Sequence, residues 1–374
     1  MALLAKREVT RTSGLVARLG LTRSEKITLG AMALVVVGLL VSGGFLLVAA
    51  AGHHYRISSK EVFGFGTGLL ALTLGIRHAF DADHIAAIDN TTRKLMAEGR
   101  RPLSVGFWFS LGHSSVVFVL SMLLAIGIKG LGAAVSDSSS QLHRLTSLIG
   151  TSVSGVFLYV IAAINLVILM SIVRAFSELR TGAYNEAEIE QHLESRGLMN
   201  RFLGPLARKV DEPWKMYPLG ILFGLGFDTA TEVGLLVLSG SAVASGLPFW
   251  AILSLPLLFA GGMSFFDTID GCFMNFAYGW AFSNPVRKIY YNLVITLLSV
   301  SVAFAIGTIE LGSLLGSELG LHGAVFSALG SVNINSVGFV VVGLFVVTWI
   351  VAVAIWRFGS IERRFSIPKV DSAP

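Results

Sequence analysis

Four short polar blocks interrupt a chain that is otherwise apolar, and their side chains are of the kinds that bind metal ions or move protons. The first is Arg77-His78-Ala79-Phe80-Asp81-Ala82-Asp83-His84, followed by Asp89-Asn90. The others are Gly112-His113-Ser114-Ser115, Asp228-Thr229-Ala230-Thr231-Glu232 and Asp267-Thr268-Ile269-Asp270. On a regular helix turning about 100° per residue, Asp81 and His84 share a face and His78 lies about 60° to one side, with Arg77 beside Asp81 at i, i+4. Asp83 points about 160° away from Asp81 on the same construction. Either the helix is distorted between His78 and His84, or Asp83 meets a different neighbour. Asp228 with Glu232, and Asp267 with Asp270, each fall on one face of their own helix, and those faces are expected to converge on the first block.

Neutral imidazole suits nickel, cobalt, copper and zinc, whereas carboxylates and carbonyls alone suit magnesium, calcium or manganese. The single cysteine, Cys272, rules out an intramolecular disulfide and a cysteine-based site, so any metal is held by nitrogen and oxygen. The candidate ligands are His78, Asp81, Asp83, His84 and His113. The competing interpretation of His78 and His84 is a satisfied polar network that joins helices, and that of His113, beside two serines, is helix packing. Asp228, Thr229, Glu232, Asp267 and Asp270 are expected to support the ligands or relay protons. Arg77 would neutralise Asp81 or an outer carboxylate, because a cation beside a metal opposes its binding.

These blocks must be positioned by membrane helices. Of 374 residues 54% are hydrophobic and only 14% charged, against about 25% charge in ordinary soluble proteins. Apolar segments of about spanning length occur near 27–51, 61–90, 104–128, 146–173, 217–239, 248–275, 289–311 and 337–357. Runs this long make helices, since barrel strands would be about ten residues of alternating polarity. The expected fold is an all-α polytopic bundle of about eight transmembrane helices in one domain, 1–374. Its tails are 1–26 and 358–374, and its one long cytoplasmic loop is 174–216.

With eight crossings, 23 of the 28 lysines and arginines fall on one side and four on the other, leaving Arg77 in the membrane. Both termini are therefore expected in the cytoplasm. The net charge of +5 reflects this topology and gives no sign of nucleic-acid binding. The first apolar run is too long for a signal peptide and is expected to remain. Gly75 through Asp81 echoes Phe223 through Asp228 in a glycine followed by Phe-Asp; an inverted 3+3 repeat is one interpretation and chance similarity the other. Glycines at 64, 66, 68, 75, 220, 224 and 226 are expected to let helices pack closely.

Taken together, these blocks resemble the nickel/cobalt transporter family of secondary metal permeases. Arg77 through His84 matches its Arg-His-Ala-x-Asp-Ala-Asp-His signature. Leu111–Ser114, Leu225–Glu232 and Leu258–Asp270 match further blocks, with Gly261 a small departure where alanine is expected. The resemblance implies an eight-helix permease of the cytoplasmic, or inner, membrane of a bacterium. It would carry Ni²⁺ and Co²⁺ at trace concentration, with His78, Asp83 and His84 tied most directly to metal recognition. No Gly-x-x-x-x-Gly-Lys-Ser/Thr occurs, so the chain has no phosphate loop of its own with which to drive pumping.

The partners so implied are a divalent metal substrate and the lipid bilayer, with no resident cofactor. Oligomeric state is not legible. Alternatives are a transporter of another divalent cation, or a membrane-embedded metalloenzyme. The second is disfavoured because His-Glu-x-x-His is absent and only three histidines lie in apolar segments.

Overall fold

The computed structural model describes residues 21–57, 62–126, 140–181, 210–225, 230–281, 285–321, 323–332 and 334–358. Among them the regular elements are all helices, apart from one isolated bridge between Arg56 and Val62. Helix α1, Arg23–Ala51, opens with a capping box: Glu25 N donates to the Thr22 hydroxyl and Thr22 N to the Glu25 carboxylate. Its exposed positions are its greasiest ones. Leu34 is 74% and Phe45 72% exposed, while Met32, Val36, Gly43 and Leu47 face inward. Such an outer surface is stable against hydrocarbon and costly against water.

The apolar stretch expected as one helix over 61–90 is two, a correction that bears directly on the site. Helix α2 spans Phe65–His78 and α3 spans Ala82–Ala97. Helix α2 ends in tightening turns, with Ala79 N donating to Gly75 O, Phe80 N to Arg77 O and Asp81 N to His78 O. Asp81 is then extended, φ −69° and ψ 144°, and serves as N-cap of α3. Aspartate is a favoured N-cap, yet its carboxylate makes no capping bond here and turns back toward His78.

Helix α4, Val105–Ala125, buries Gly106, Phe109, Ser110, His113, Val117, Ser121 and Leu124, a stripe at three- and four-residue intervals. Helix α5, Gln141–Thr181, runs into the region expected as loop, whose residues 182–209 lie outside the described ones. The fifth apolar segment is also divided, into α6, Met216–Phe223, after a 3₁₀ turn at Pro213–Lys215, and α7, Ala230–Ala244. There follow α8, Phe249–Ile252; α9, Ser254–Ala281; α10, Pro285–Glu318; α11, Ala324–Ser331; and α12, Ile334–Phe358.

Among the described residues, five stretches are long and apolar enough to cross a bilayer: Arg23–Ala51, Val105–Ala125, Ser147–Val167, Phe249–Ala277 and Leu293–Glu318.

Helix α9 is the hub and packs on α1, α2, α3 and α4. Two of these contacts are backbone against backbone. A Cβ at Gly75 would lie 2.1 Å from the Phe259 carbonyl oxygen, and one at Gly106 1.8 Å from that of Asp267. With no side chain in the way, α2 and α4 seat on α9 closely enough for the polar blocks to meet. Helix α10 pairs with α5 through side chains as well as a glycine seat at Gly155 and Gly307: Ser154 donates to Glu310 at 2.8 Å, Tyr159 and Thr308 hydroxyls lie 2.7 Å apart, and Arg144 binds both oxygens of Glu318.

Candidate metal centre

Three histidines from three helices meet in the middle of this framework: His78 at the end of α2, His84 in the first turns of α3 and His113 on the buried stripe of α4. Their exposures are 1, 0 and 2%. One ring nitrogen from each lies within 4.8 Å of the others. Each pair of rings has its centroids 4.7 Å apart. The break after His78 makes this possible, because on a continuous helix the two imidazoles would leave the same axis at fixed angles.

On His78 and His84 the outward-facing nitrogen is held from behind, whereas His113 Nδ1 is buried without a hydrogen-bond partner among the described residues. His84 Nδ1 lies 3.3 Å from Asp267 Oδ2 on α9, and His84 Nε2, fully enclosed, has no hydrogen-bond partner among the described residues. With Nδ1–H donated to the carboxylate, the lone pair is left on Nε2, the tautomer a metal requires. His78 Nδ1 lies 2.8 Å from Asp81 Oδ2 and 2.9 Å from the Thr231 hydroxyl, which likewise leaves Nε2 facing the cluster.

His113 Nε2 lies 2.8 Å from His78 Nε2 and 2.7 Å from Glu232 Oε1, and Glu232 Oε1 is 3.8 Å from His78 Nε2. The 2.7 and 2.8 Å contacts are hydrogen-bond distances, shorter than the roughly 3.4 Å between tetrahedral ligands at about 2.1 Å from one ion, so these atoms are bonded to one another here and would part by several tenths of an ångström to ligate an ion. Phe109, 4.8 Å edge-on to His84, and Phe259, 5.6 Å from His78, wall the site with apolar surface.

The other candidates take different places. Arg77 is half-buried in the last turn of α2, where a cation suits the helix dipole. Its expected i, i+4 relation to Asp81 does not exist, because α2 stops at His78 and Asp81 meets that histidine instead. Asp83 sits half-buried in the first turn of α3, near enough for its charge to act on His78 and Asp267, while its oxygens are not among the atoms gathered within 4.8 Å. Asp270 lies one turn beyond Asp267, where its charge and that of Asp89 on α3 act on one another. Asp89 itself accepts from the Ser299 hydroxyl at 2.6 Å. Asp228 and Thr229 lie outside the described residues.

Thr231, whose hydroxyl meets His78 Nδ1, was given no role by the sequence pattern. Its signal was a hydroxyl directly preceding Glu232 in an apolar helix.

Three buried imidazoles without a thiolate, two of them oriented by carboxylates, suit a borderline divalent ion. Residues 64–355 match the family model described as high-affinity nickel-transport protein. The chain belongs to this nickel-transport family. Among its relatives are the nickel transporter NicT of Mycobacterium tuberculosis, 56% identical over 347 residues, covering 92% of this chain and 93% of the relative. The nickel transporter NixA of Staphylococcus aureus is 48% identical over 335 residues, covering 90% and 96%. The cobalt transport protein NhlF of Rhodococcus rhodochrous is 39% identical over 335 residues, covering 88% and 92%. No solved structure matches the chain. The matched range begins just before α2 and ends inside α12, so every helix that reaches the histidines belongs to the part shared with the family.

Proposed function

We propose that this chain is a secondary permease that carries Ni²⁺ or Co²⁺ across the cytoplasmic membrane, binding the ion through His78, His84, His113 and Glu232. The observation that carries this is the orientation of the imidazoles. A network meant only to join helices would satisfy both nitrogens of each ring, whereas His84 has one held by Asp267 and the other turned toward two further histidines with no hydrogen-bond partner among the described residues. In this reading Asp81, Thr231 and Asp267 aim the ligands, and Asp83, Asp270 and Asp89 keep the surroundings negative, which favours a dication. Ligation needs neutral imidazoles, so binding releases protons and uptake weakens as the medium is acidified.

The wider architecture in this reading is eight crossings with both termini in the cytoplasm, supported by the charge asymmetry of the connections. The second and fifth apolar segments are both interrupted, as α2/α3 and α6/α7, and in sequence the echoed Phe-Asp pairs fall between the two helices of each; broken helices in two halves are what an inverted repeat around a midplane site would produce.

The test is uptake of radioactive nickel and cobalt by cells expressing the wild type or His78→Ala, with zinc and manganese as competitors. Uptake above the empty vector that His78→Ala abolishes is expected. Full uptake by the variant, or none by the wild type, sinks the proposal, and stronger competition by zinc than by either metal would make the chain a transporter of another cation.

A further inference from the structure

We infer that α12, through Gly338 and Phe339, is the clamp that sets the helix break between His78 and His84, making Gly338 a positioning residue of the metal centre. The inference rests on the transport reading above, since it concerns the same three histidines. Among the described residues α12 supplies none of their polar contacts, and none of the four polar blocks of the sequence lies on it. It nevertheless reaches the break itself. A Cβ at Gly338 would stand 1.6 Å from the Phe80 carbonyl oxygen, 2.8 Å from its carbon and 3.2 Å from Ala82 N, so the bare backbone of α12 is pressed across the link that joins α2 to α3. The next residue completes the grip. The Phe339 ring stacks on the Phe80 ring, 5.6 Å between centroids and 19° between planes, and Phe80 packs on its other flank against Phe266 of α9 at 5.3 Å.

The link is thus held between two helices. That matters because His78 is the residue immediately before the link and His84 lies two residues beyond its far end at Ala82. The relative aim of their two imidazoles depends on the path of Ala79, Phe80 and Asp81. A metal tolerates ligand distances only within about 0.2 Å, whereas relieving a 1.6 Å approach to a carbonyl oxygen requires moving the link by far more than that. No flexible side chain is available to give way, because the opposing atoms are backbone. Val341 and Phe345, one and two turns further along α12, pack in the same core as Ala82, Ile85 and Ala86 of α3, so the clamp is anchored to the helix whose start it sets.

The experiment compares wild type, Gly338→Ala, Phe339→Leu and Gly343→Ala in the full-length chain. It reads the concentration dependence of radioactive nickel uptake in cells, and nickel binding to the purified protein by calorimetry. Gly343 is the control, since nothing lies within 4 Å of a Cβ there. Gly338→Ala is expected to raise the half-saturating nickel concentration and the dissociation constant at least about tenfold, as displaced supports of a metal ligand do. Phe339→Leu, which removes the stack without a collision, is expected to raise both by a smaller factor, and Gly343→Ala to leave both unchanged.

A merely structural role would reduce the number of working copies, lowering maximal uptake at an unchanged half-saturating concentration. That outcome in Gly338→Ala overturns the inference. If Gly338→Ala does not reach the membrane, wild-type affinity in Phe339→Leu overturns it instead. A wild type that neither binds nor carries nickel overturns the transport reading, and the clamp with it, whereas variants equal to a working wild type overturn the clamp alone.

Discussion

Replacing Asp267 with asparagine tests whether His84 is a metal ligand aimed from behind. The carboxylate oxygen lies 3.3 Å from His84 Nδ1, and both side chains are sealed from solvent. As long as a carboxylate accepts the Nδ1 proton, the lone pair sits on Nε2 and faces the other two histidines. Asparagine is nearly isosteric but can turn its NH₂ toward Nδ1, which would move the lone pair to the wrong side of the ring. It also removes a negative charge that favours the dication. Partners of this kind are worth about 10- to 100-fold in metal affinity, or about 1.4 to 2.8 kcal/mol. The half-saturating nickel concentration for uptake, and the calorimetric dissociation constant of the purified chain, should both rise by that factor at normal membrane abundance. Arg144→Gln, which breaks only the exposed ion pair with Glu318, should leave both within about twofold. If Asp267→Asn also stays within about twofold, His84 is not oriented by Asp267 and the ligand assignment built on that bond fails.

Three further outcomes follow from the packing. Gly106→Ala drives a methyl group against the Asp267 carbonyl oxygen, where neither backbone can yield, and should cost about 3 kcal/mol or more, read as a lower unfolding temperature in detergent; Gly30→Ala, with open space around it inside α1, should leave that temperature unchanged or raise it slightly. Asn90→Ala removes the oxygen that accepts Asn165 Nδ2 at 2.7 Å at a fully buried site and should cost about 1–3 kcal/mol, whereas replacing both asparagines with leucine should recover much of that loss in the same assay. Outside the membrane, Lys215 beside Asp211 holds that carboxyl below the usual carboxylate range. The contact therefore contributes above about pH 4 and fades as pH falls through the depressed value. Lys215→Met should lower the unfolding temperature slightly at pH 7, with the difference from wild type vanishing in acid; a difference that widened in acid would contradict the assignment.

Much of the site was legible because charges inside apolar runs are rare. Composition gave the helical class, and His78, His84, His113, Glu232 and Asp267 were all singled out before any contact was known. The distortion between His78 and His84 was legible too, as a conflict: regular helical angles left Asp83 out of a sector that the motif wanted it in. The location of the break was not, because Ala79-Phe80-Asp81 contains neither glycine nor proline, and what fixes it is a tertiary contact from α12. The same blindness hid Thr231 and Ser299, hydroxyls whose partners lie on other helices. It also assigned Asp81 to Arg77, by counting residues along a helix that had already ended. Local rules find which side chains are costly to bury, and only the assembled bundle says which of them meet.

The glycine seats under α2 and α4 have a mechanical consequence. Side-chain contacts between helices can slide, since rotamers rearrange as one surface moves past another, but two backbones in direct touch have no adjustable part. Helices α2, α4 and α9 are coupled at Gly75 and Gly106 like parts cast in one piece, and any motion that admits and then releases an ion must carry them together. The α5–α10 pair is joined by hydroxyls and carboxylates, and its comparable seat is looser, a Cβ at Gly307 lying 3.3 Å from the Gly155 carbonyl oxygen. Two of the three histidines, His78 and His113, thus stand on helices that are fixed to one another through their backbones.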